Sequence, residues 1–361
     1  MRGGVADRAP VWFWGVQPGD PPRHPTIQPV VDAYLARGDI IQWWAGAAPN
    51  IFLSAWPELR ADSETRPSDH PDYDERVTTW HTPAGELTQV SYVSRLGRPG
   101  YVKKHLLQTE RDVERLLSVP YVPPRPDCSG FFELDGRLGE GGIAMVSMGT
   151  DPVYAFNRLT GSETFAVWSV QRRELVAELV QTYLQRTVEW LKWVIAQGVG
   201  PLFGYVGPEL CIPPLQSPAD FEEWVVGPDR VINDLIREAG GIALVHCHGR
   251  LDAVLEGFVR MHSGALHPIE PPPMGDVTLA DAKRRVGSEL CIVGNVQEHD
   301  IWRMPPAQFR EMVADVVGVG MAGGGFILSP TSTPFSWPQI TDRARENMLA
   351  MLDVGLDVGR Y

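Results

Sequence analysis

The stretch Gly241-Ile242-Ala243-Leu244-Val245-His246-Cys247-His248-Gly249 decides how this chain folds. An apolar run from Gly241 to Val245 ends abruptly in two histidines and a glycine. A short apolar run bounded by glycine reads as a strand buried on both faces, the kind found in parallel sheets. Side chains two apart on a strand share a face, so His246 and His248 project together while Cys247 points the other way. Two imidazoles side by side at the carboxyl end of a buried strand form a natural pair of metal ligands. The plainer alternative is that they hydrogen-bond the backbone of a loop.

The same pattern repeats outward from this strand. Apolar runs at 143–147, 201–205, 242–246, 265–269, 289–293 and 325–328 alternate with helix-period segments at 173–197, 220–239, 251–261, 279–286, 306–317 and 340–358. Strand–helix repetition of this kind predicts right-handed βα units and a parallel sheet. Two further apolar and aromatic runs, 11–14 and 40–44, bring the strand count to that of a (β/α)8 TIM barrel, an α/β fold. No Gly-x-Gly-x-x-Gly follows any strand, which removes the best signature of a dinucleotide-binding open sheet. Between the second and third strands lies a polar, irregular segment, 46–140, far beyond ordinary loop length. Within it 86–93 reads as hairpin strand and 120–126 as a proline-rich turn. It is expected to be a lid or side layer over one barrel end, inside a single domain spanning 1–361.

Composition narrows the function classes. The 361 residues are 43% hydrophobic and 21% charged, as in a soluble globular protein, and the 32 prolines and 36 glycines imply many turns. A net charge of −13 argues against a nucleic-acid partner, which needs clustered Lys and Arg. No charged leader precedes an apolar stretch and no run approaches a membrane span, so the expectation is a cytoplasmic protein with no membrane partner. Cys128, Cys211, Cys247 and Cys291 lack CxxC spacing, so neither a zinc ribbon nor a disulfide framework is indicated.

In a barrel of this type the active site forms at the carboxyl ends of the strands. That rule selects Tyr205 and Glu209 after the fourth strand, His246 and His248 after the fifth, and His267-Pro268-Ile269-Glu270 after the sixth. It also selects Asn295 after the seventh, with Gln297 and His299 beyond, and Thr331 and Ser332 after the eighth. Glu270 precedes three prolines, a stiff segment without backbone donors that holds a carboxylate in one direction. Glu209, in Gly-Pro-Glu, could serve as an oxygen ligand of a metal, as a general base, or as a solvated loop acid. Asp276 is expected to cap the helix that follows it. The catalytic candidates are Glu270, Asn295 and Tyr205. Cys211, Cys247 and Cys291 are read as packed thiols. Trp12 and Trp14 share a strand face, and one of them is placed to line an apolar substrate pocket.

Read together, HCHGRL at 246–251, HPIEPPPMGD at 267–276, CIVGNVQ at 291–297 and GGFILSPTS at 324–332 resemble the uroporphyrinogen decarboxylase superfamily. The resemblance covers 200–361 well and the middle segment in outline. It implies one of two chemistries. The true decarboxylases are metal-free and carry an arginine-rich segment after the first strand for an acidic tetrapyrrole. Here Gly15-Val16-Gln17-Pro18-Gly19-Asp20 offers no arginine to pair with those carboxylates. The other branch comprises cobalamin-dependent methyltransferases, which hold zinc with a His-x-Cys after the fifth strand and a Cys after the eighth. On that pattern His246 stands at the histidine, His248 at the first cysteine, and Thr331 or Ser332 at the second.

A site with two thiolates is therefore excluded, and a harder His/His/carboxylate zinc site is its physical replacement, better suited to an oxygen-bearing substrate. Glu209 or Glu270 would supply the third ligand beside His246 and His248, with Glu209 favoured because it follows a Gly-Pro turn at a strand end. The expected function is movement of a methyl group between a small substrate and a corrinoid cofactor. The chain has no corrinoid-binding Asp-x-His-x-x-Gly, so the corrinoid is expected on a partner protein or as the free molecule. A decarboxylase or lyase of a small carboxylic acid, and a barrel that only binds its ligand, are the alternatives. Assembly as a homodimer is left open.

Overall fold

The structure, a computed structural model, describes residues 7–21, 23–46, 51–54, 56–333 and 339–360. The strands among them are β1 (Ile40–Trp44), β2 (Ala61–Pro67), β3 (Tyr73–Thr82), β4 (Gly85–Ser94), β5 (Tyr101–Lys104), β6 (Gly142–Thr150), β7 (Leu202–Val206), β8 (Ile242–His246), β9 (Ala265–His267), β10 (Cys291–Val296) and β11 (Phe326–Pro330). Strands β1 and β6 to β11 make one sheet, ordered β1-β6-β7-β8-β9-β10-β11 and parallel throughout. Helices separate its successive strands from β6 onward, among them Arg173–Ala196, Gly227–Glu238, Leu255–Arg260, Leu279–Val286 and Pro306–Met321, and Asp342–Val358 follows β11. That is the βα alternation the apolar runs predict, and it makes the chain an α/β protein.

Strand formation follows burial. In β8, Ala243 through His246 are all buried, and β10 and β11 are buried along their whole lengths. These segments therefore read as continuous apolar runs rather than alternating ones. Helix starts follow capping chemistry. Ser217 and Asp220 form a reciprocal capping box, and Thr278 accepts from the Asp281 amide to open Leu279–Val286. Asp276 is not that cap, because its carboxylate accepts instead from the amide of Asp252, 3.0 Å away.

The expected first strand, 11–14, is where sequence and structure part. Val11 makes one isolated parallel bridge to Leu328 of β11, and no strand forms there. The bridge nevertheless lies between the two ends of the curled sheet. Trp12 N–H donates to the Leu328 carbonyl at 2.8 Å, Leu328 N–H to the Pro10 carbonyl at 2.8 Å, and Asp39 N–H, one residue before β1, to the Val11 carbonyl at 2.9 Å. Pro10 has no amide to extend the ladder and the chain turns at residues 14–15, which limits the pairing to a single bridge.

Strands β2 to β5 form a separate antiparallel sheet, ordered β2-β3-β4-β5, within the polar segment between β1 and β6. The expected hairpin strand at 86–93 is β4. β2 is exposed along its whole length, whereas Leu87 of β4 is buried in the main core together with Val113 and Leu116 of the helix Glu110–Leu117. Among the described residues no helix is long and apolar enough to cross a membrane.

Candidate metal centre

The carboxyl ends of β7, β8 and β9 bring the chemistry together. Val206, His246 and His267 lie level across these three strands, with Val206 in register with His246 and His246 with His267. After β7 the backbone passes through Gly207 at φ +140°, where a Cβ would sit 2.5 Å from the Asp151 carboxyl carbon. Only glycine meets both demands. The turn delivers Glu209, whose carboxylate lies 3.6 Å from His246 Nε2. The same Glu209 oxygen accepts weakly from the His248 amide at 3.4 Å. One ligand-type atom from each of Glu209, His246 and His248 falls within 4.8 Å of the other two, the spacing of residues that share a single ion.

Both histidines are held from behind. His248 Nδ1 is 3.2 Å from one Glu270 oxygen, and the second Glu270 oxygen accepts from the Gly249 amide at 2.9 Å. His246 Nδ1 is 2.8 Å from His267 Nδ1, and His267 Nε2 is 2.9 Å from the Pro330 carbonyl of β11. Trp14 covers this pair, stacked on His267 at 4.4 Å and 3° and on His246 at 4.6 Å and 23°. Carboxylate or carbonyl partners behind an imidazole are the usual means of orienting it toward a cation.

Burial sets the charges. It holds His246 well below its ordinary pKa, with the neighbouring imidazoles of His267 and His248 adding to the effect, and it drives His267 down to about 3. Both rings are neutral at pH 7, the state a metal ligand requires. His248 moves the other way, because the hydrogen bond and charge of Glu270 outweigh its burial. Glu270 is correspondingly lowered, the contact with His248 overcoming its own desolvation. Glu209 is raised by burial, with the charge of Glu270 adding to it. The donor set thus fits a divalent cation. His246 Nε2 and a Glu209 oxygen face each other at 3.6 Å, with His248 beside them.

A cavity of about 1300 Å³ opens beside this cluster, walled by His248, Glu270, Glu298, Trp302, Thr331 and Arg343 among others. Its size suits a sizeable small molecule.

The sequence matches the family model described as uroporphyrinogen decarboxylase (URO-D) over residues 89–333. The chain belongs to the uroporphyrinogen decarboxylase family. Its fold is similar to that of a solved methyltransferase from Methanosarcina mazei, at 12% identity and a TM-score of 0.59, with 98% of this chain and 95% of that one covered. A 3-keto-D-glucoside 4-epimerase from E. coli is more distant, at 13% identity and a TM-score of 0.38, over 62% of this chain and 84% of that one. A sequence search of curated proteins gives no match.

In this member of the uroporphyrinogen decarboxylase family the candidates read from the sequence fall into two groups. His246, His248, Glu209 and Glu270 converge. Tyr205 and Asn295 do not join them. Gly204 points inward, where a Cβ would meet Trp43 of β1, so Tyr205 points outward, and its hydroxyl donates to Asn233 Oδ1 of the helix Gly227–Glu238 at 3.1 Å. Asn295 is buried on β10 opposite Ser329, and its Oδ1 has no hydrogen-bond partner among the described residues. Glu270, expected to face substrate, spends both oxygens on His248 and Gly249.

Three residues of the site were given no specific role by the sequence reading, and one of them, Asp151, was not selected at all. His267 stands at the end of the neighbouring strand, in register with His246, and that histidine pairing was the available signal. Trp14 was singled out only as one of two possible pocket aromatics, yet it covers both imidazoles. Asp151, buried at the end of β6, is pushed up to about 8 by burial, with the charge of Glu209 adding. Nothing in its local sequence marks it beyond its role as a helix cap, which it also performs by accepting from the Tyr154 amide.

Proposed function

We propose that this chain is a metal-dependent methyltransferase that moves a methyl group between a small oxygen-bearing substrate and a corrinoid, the corrinoid coming on a partner protein or as the free molecule. The observation that carries the metal assignment is the convergence of His246, His248 and Glu209 within 4.8 Å, with each imidazole held from behind. The methyl-transfer assignment draws support from the fold shared along nearly the whole chain with the Methanosarcina mazei methyltransferase. A divalent ion such as zinc would supply Lewis acidity toward the substrate oxygen.

The chain's own residues do the rest. His246, His248 and Glu209 would hold the ion beside the cavity. Glu270 fixes the ring of His248, and Trp14 shields His246 and His267 from water. The cavity beside His248 would take the substrate, and a corrinoid would supply or receive the methyl group.

Metal analysis of protein purified without a histidine tag is expected to find about one zinc-like ion per chain, and the His246→Ala/His248→Ala double variant is expected to lose it. Full metal content in that variant would refute the site. Methyl transfer is read separately, from the spectral change of added methylcobalamin with candidate methyl acceptors.

Decarboxylation of a small carboxylic acid is a second reading that one observation favours. Arg303 and Arg343 both line the cavity, Arg343 donating to the Arg303 carbonyl, and two guanidinium groups at one cavity wall suit a carboxylate substrate. Release of carbon dioxide without any change in methylcobalamin would favour it.

A further inference from the structure

We propose that His267 is a positioning residue that fixes His246 in its Nδ1–H form, so that His246 offers Nε2, and only Nε2, to a cation shared with Glu209 and His248. The inference rests on the metal reading of the site for its purpose but not for its geometry.

The argument begins at Pro330. A carbonyl oxygen only accepts hydrogen bonds, so His267 Nε2, 2.9 Å from it, carries a proton. His267 is fully buried between Trp14, Trp12 and the ends of the strands, among the described residues no carboxylate lies against it, and a charged ring there would be costly. A neutral imidazole has one N–H, so His267 Nδ1 is a bare acceptor. It lies 2.8 Å from His246 Nδ1, a contact that needs a proton between the two nitrogens. That proton belongs to His246. Neutral His246 is then bare at Nε2, the atom that faces Glu209 at 3.6 Å.

The opposite arrangement fails at each link. In a neutral His246, a proton on Nε2 would leave two lone pairs opposed at 2.8 Å, or would require His267 to turn a lone pair toward the Pro330 carbonyl. Ring rotation is no escape, because Trp14 is stacked flat on His267 and nearly flat on His246. The chain of contacts runs from β11 through His267 of β9 to His246 of β8, so the metal-facing atom is set by a carbonyl three strands away in the sheet.

The test uses the full chain stripped of metal by a chelator and labelled with ¹⁵N-histidine. Long-range ¹H–¹⁵N spectra are expected to show His246 protonated at Nδ1 and bare at Nε2, and His267 the reverse, with assignments from the His246→Ala and His267→Asn variants. Zinc titration reads the consequence. His267→Leu is expected to bind zinc about 10- to 100-fold more weakly, the usual effect of losing a ligand's outer partner. In His267→Asn the amide oxygen can stand near the lost Nδ1 and accept from His246, so most of the affinity should return.

A proton on His246 Nε2 in the wild-type chain would overturn the inference, as would a folded His267→Leu variant that binds zinc like the wild type. Should His267→Leu not fold, the wild-type spectra and His267→Asn decide. A wild-type chain that binds no zinc but shows the expected tautomers would refute the metal reading and leave the tautomer assignment standing.

Discussion

At the scale of single residues, Glu209 and Glu270 look alike in sequence and differ in what they touch. Glu209 faces His246 Nε2 at 3.6 Å and accepts only weakly from the His248 amide at 3.4 Å, so it is available as a ligand. Glu270 is committed to His248 and to the Gly249 amide. We therefore expect Glu209→Gln to abolish tight zinc binding, because a neutral amide oxygen replaces a charged ligand. Glu270→Gln is expected to weaken binding about 10- to 100-fold by loosening His248 while keeping the ligand set. Isothermal titration of both variants checks this, and equal losses would show that the two carboxylates share one role. Strand alternation made the His246–His248 pair legible, and the Gly-Pro turn pointed to Glu209. It could not tell which face of β7 looks inward, and that is why Tyr205 was misplaced. Glu270 was read as facing substrate, and it does line the cavity, but a rigid proline segment could not reveal that His248 and Gly249 take its oxygens.

At the scale of elements, the turn from β7 to Glu209 and the end of β6 depend on each other. Gly207 combines a left-handed φ with a close approach to Asp151, so Gly207→Ala must strain the backbone and push the carboxyl aside. Each of these effects costs about 1–3 kcal/mol, and Glu209 lies only two residues on. A lower melting temperature together with weaker zinc binding is expected. Normal values for both would show that the turn does not position Glu209.

Asp151 adds a pH signature. Its folded pKa is about 8, against roughly 3.9 for an unfolded aspartate. Between those values the folded chain holds a proton that the unfolded chain has released. The contribution of Asp151 to stability is therefore complete at acid pH and is lost as pH rises toward 8, at no more than about 1.4 kcal/mol per pH unit. In chelator-treated protein, denaturant unfolding between pH 5 and 8 should be less pH-dependent in Asp151→Asn than in the wild type, and parallel curves would contradict this. None of this was legible in sequence, where nothing sets Asp151 apart from other acids that precede a helix.

At the scale of the molecule, the alternation of apolar runs and helical segments was enough to read a parallel α/β sheet, since strands buried on both faces announce themselves as continuous apolar runs. The segment 11–14 has the same apolar character but pairs at one residue, because strand character depends on available backbone donors as well as on side chains. That segment still connects the two ends of the sheet and carries Trp14 up to the imidazoles. Its anchor is Asp39, whose carboxylate accepts from Arg8 at 2.6 and 2.9 Å and from the Val11 amide at 2.7 Å. Asp39→Ala removes both links, and Arg8→Ala removes only the ion pair, which at this partial exposure is worth little. We expect Asp39→Ala to cost about 1–3 kcal/mol, the value of hydrogen bonds to a charged group, and Arg8→Ala distinctly less. Amide exchange at Trp12 and Leu328 should quicken in Asp39→Ala, because the hydrogen bond between these residues sits on the loosened seam. Equal costs for the two variants, or unchanged exchange at those amides, would mean that the link to Val11 does not hold the seam together.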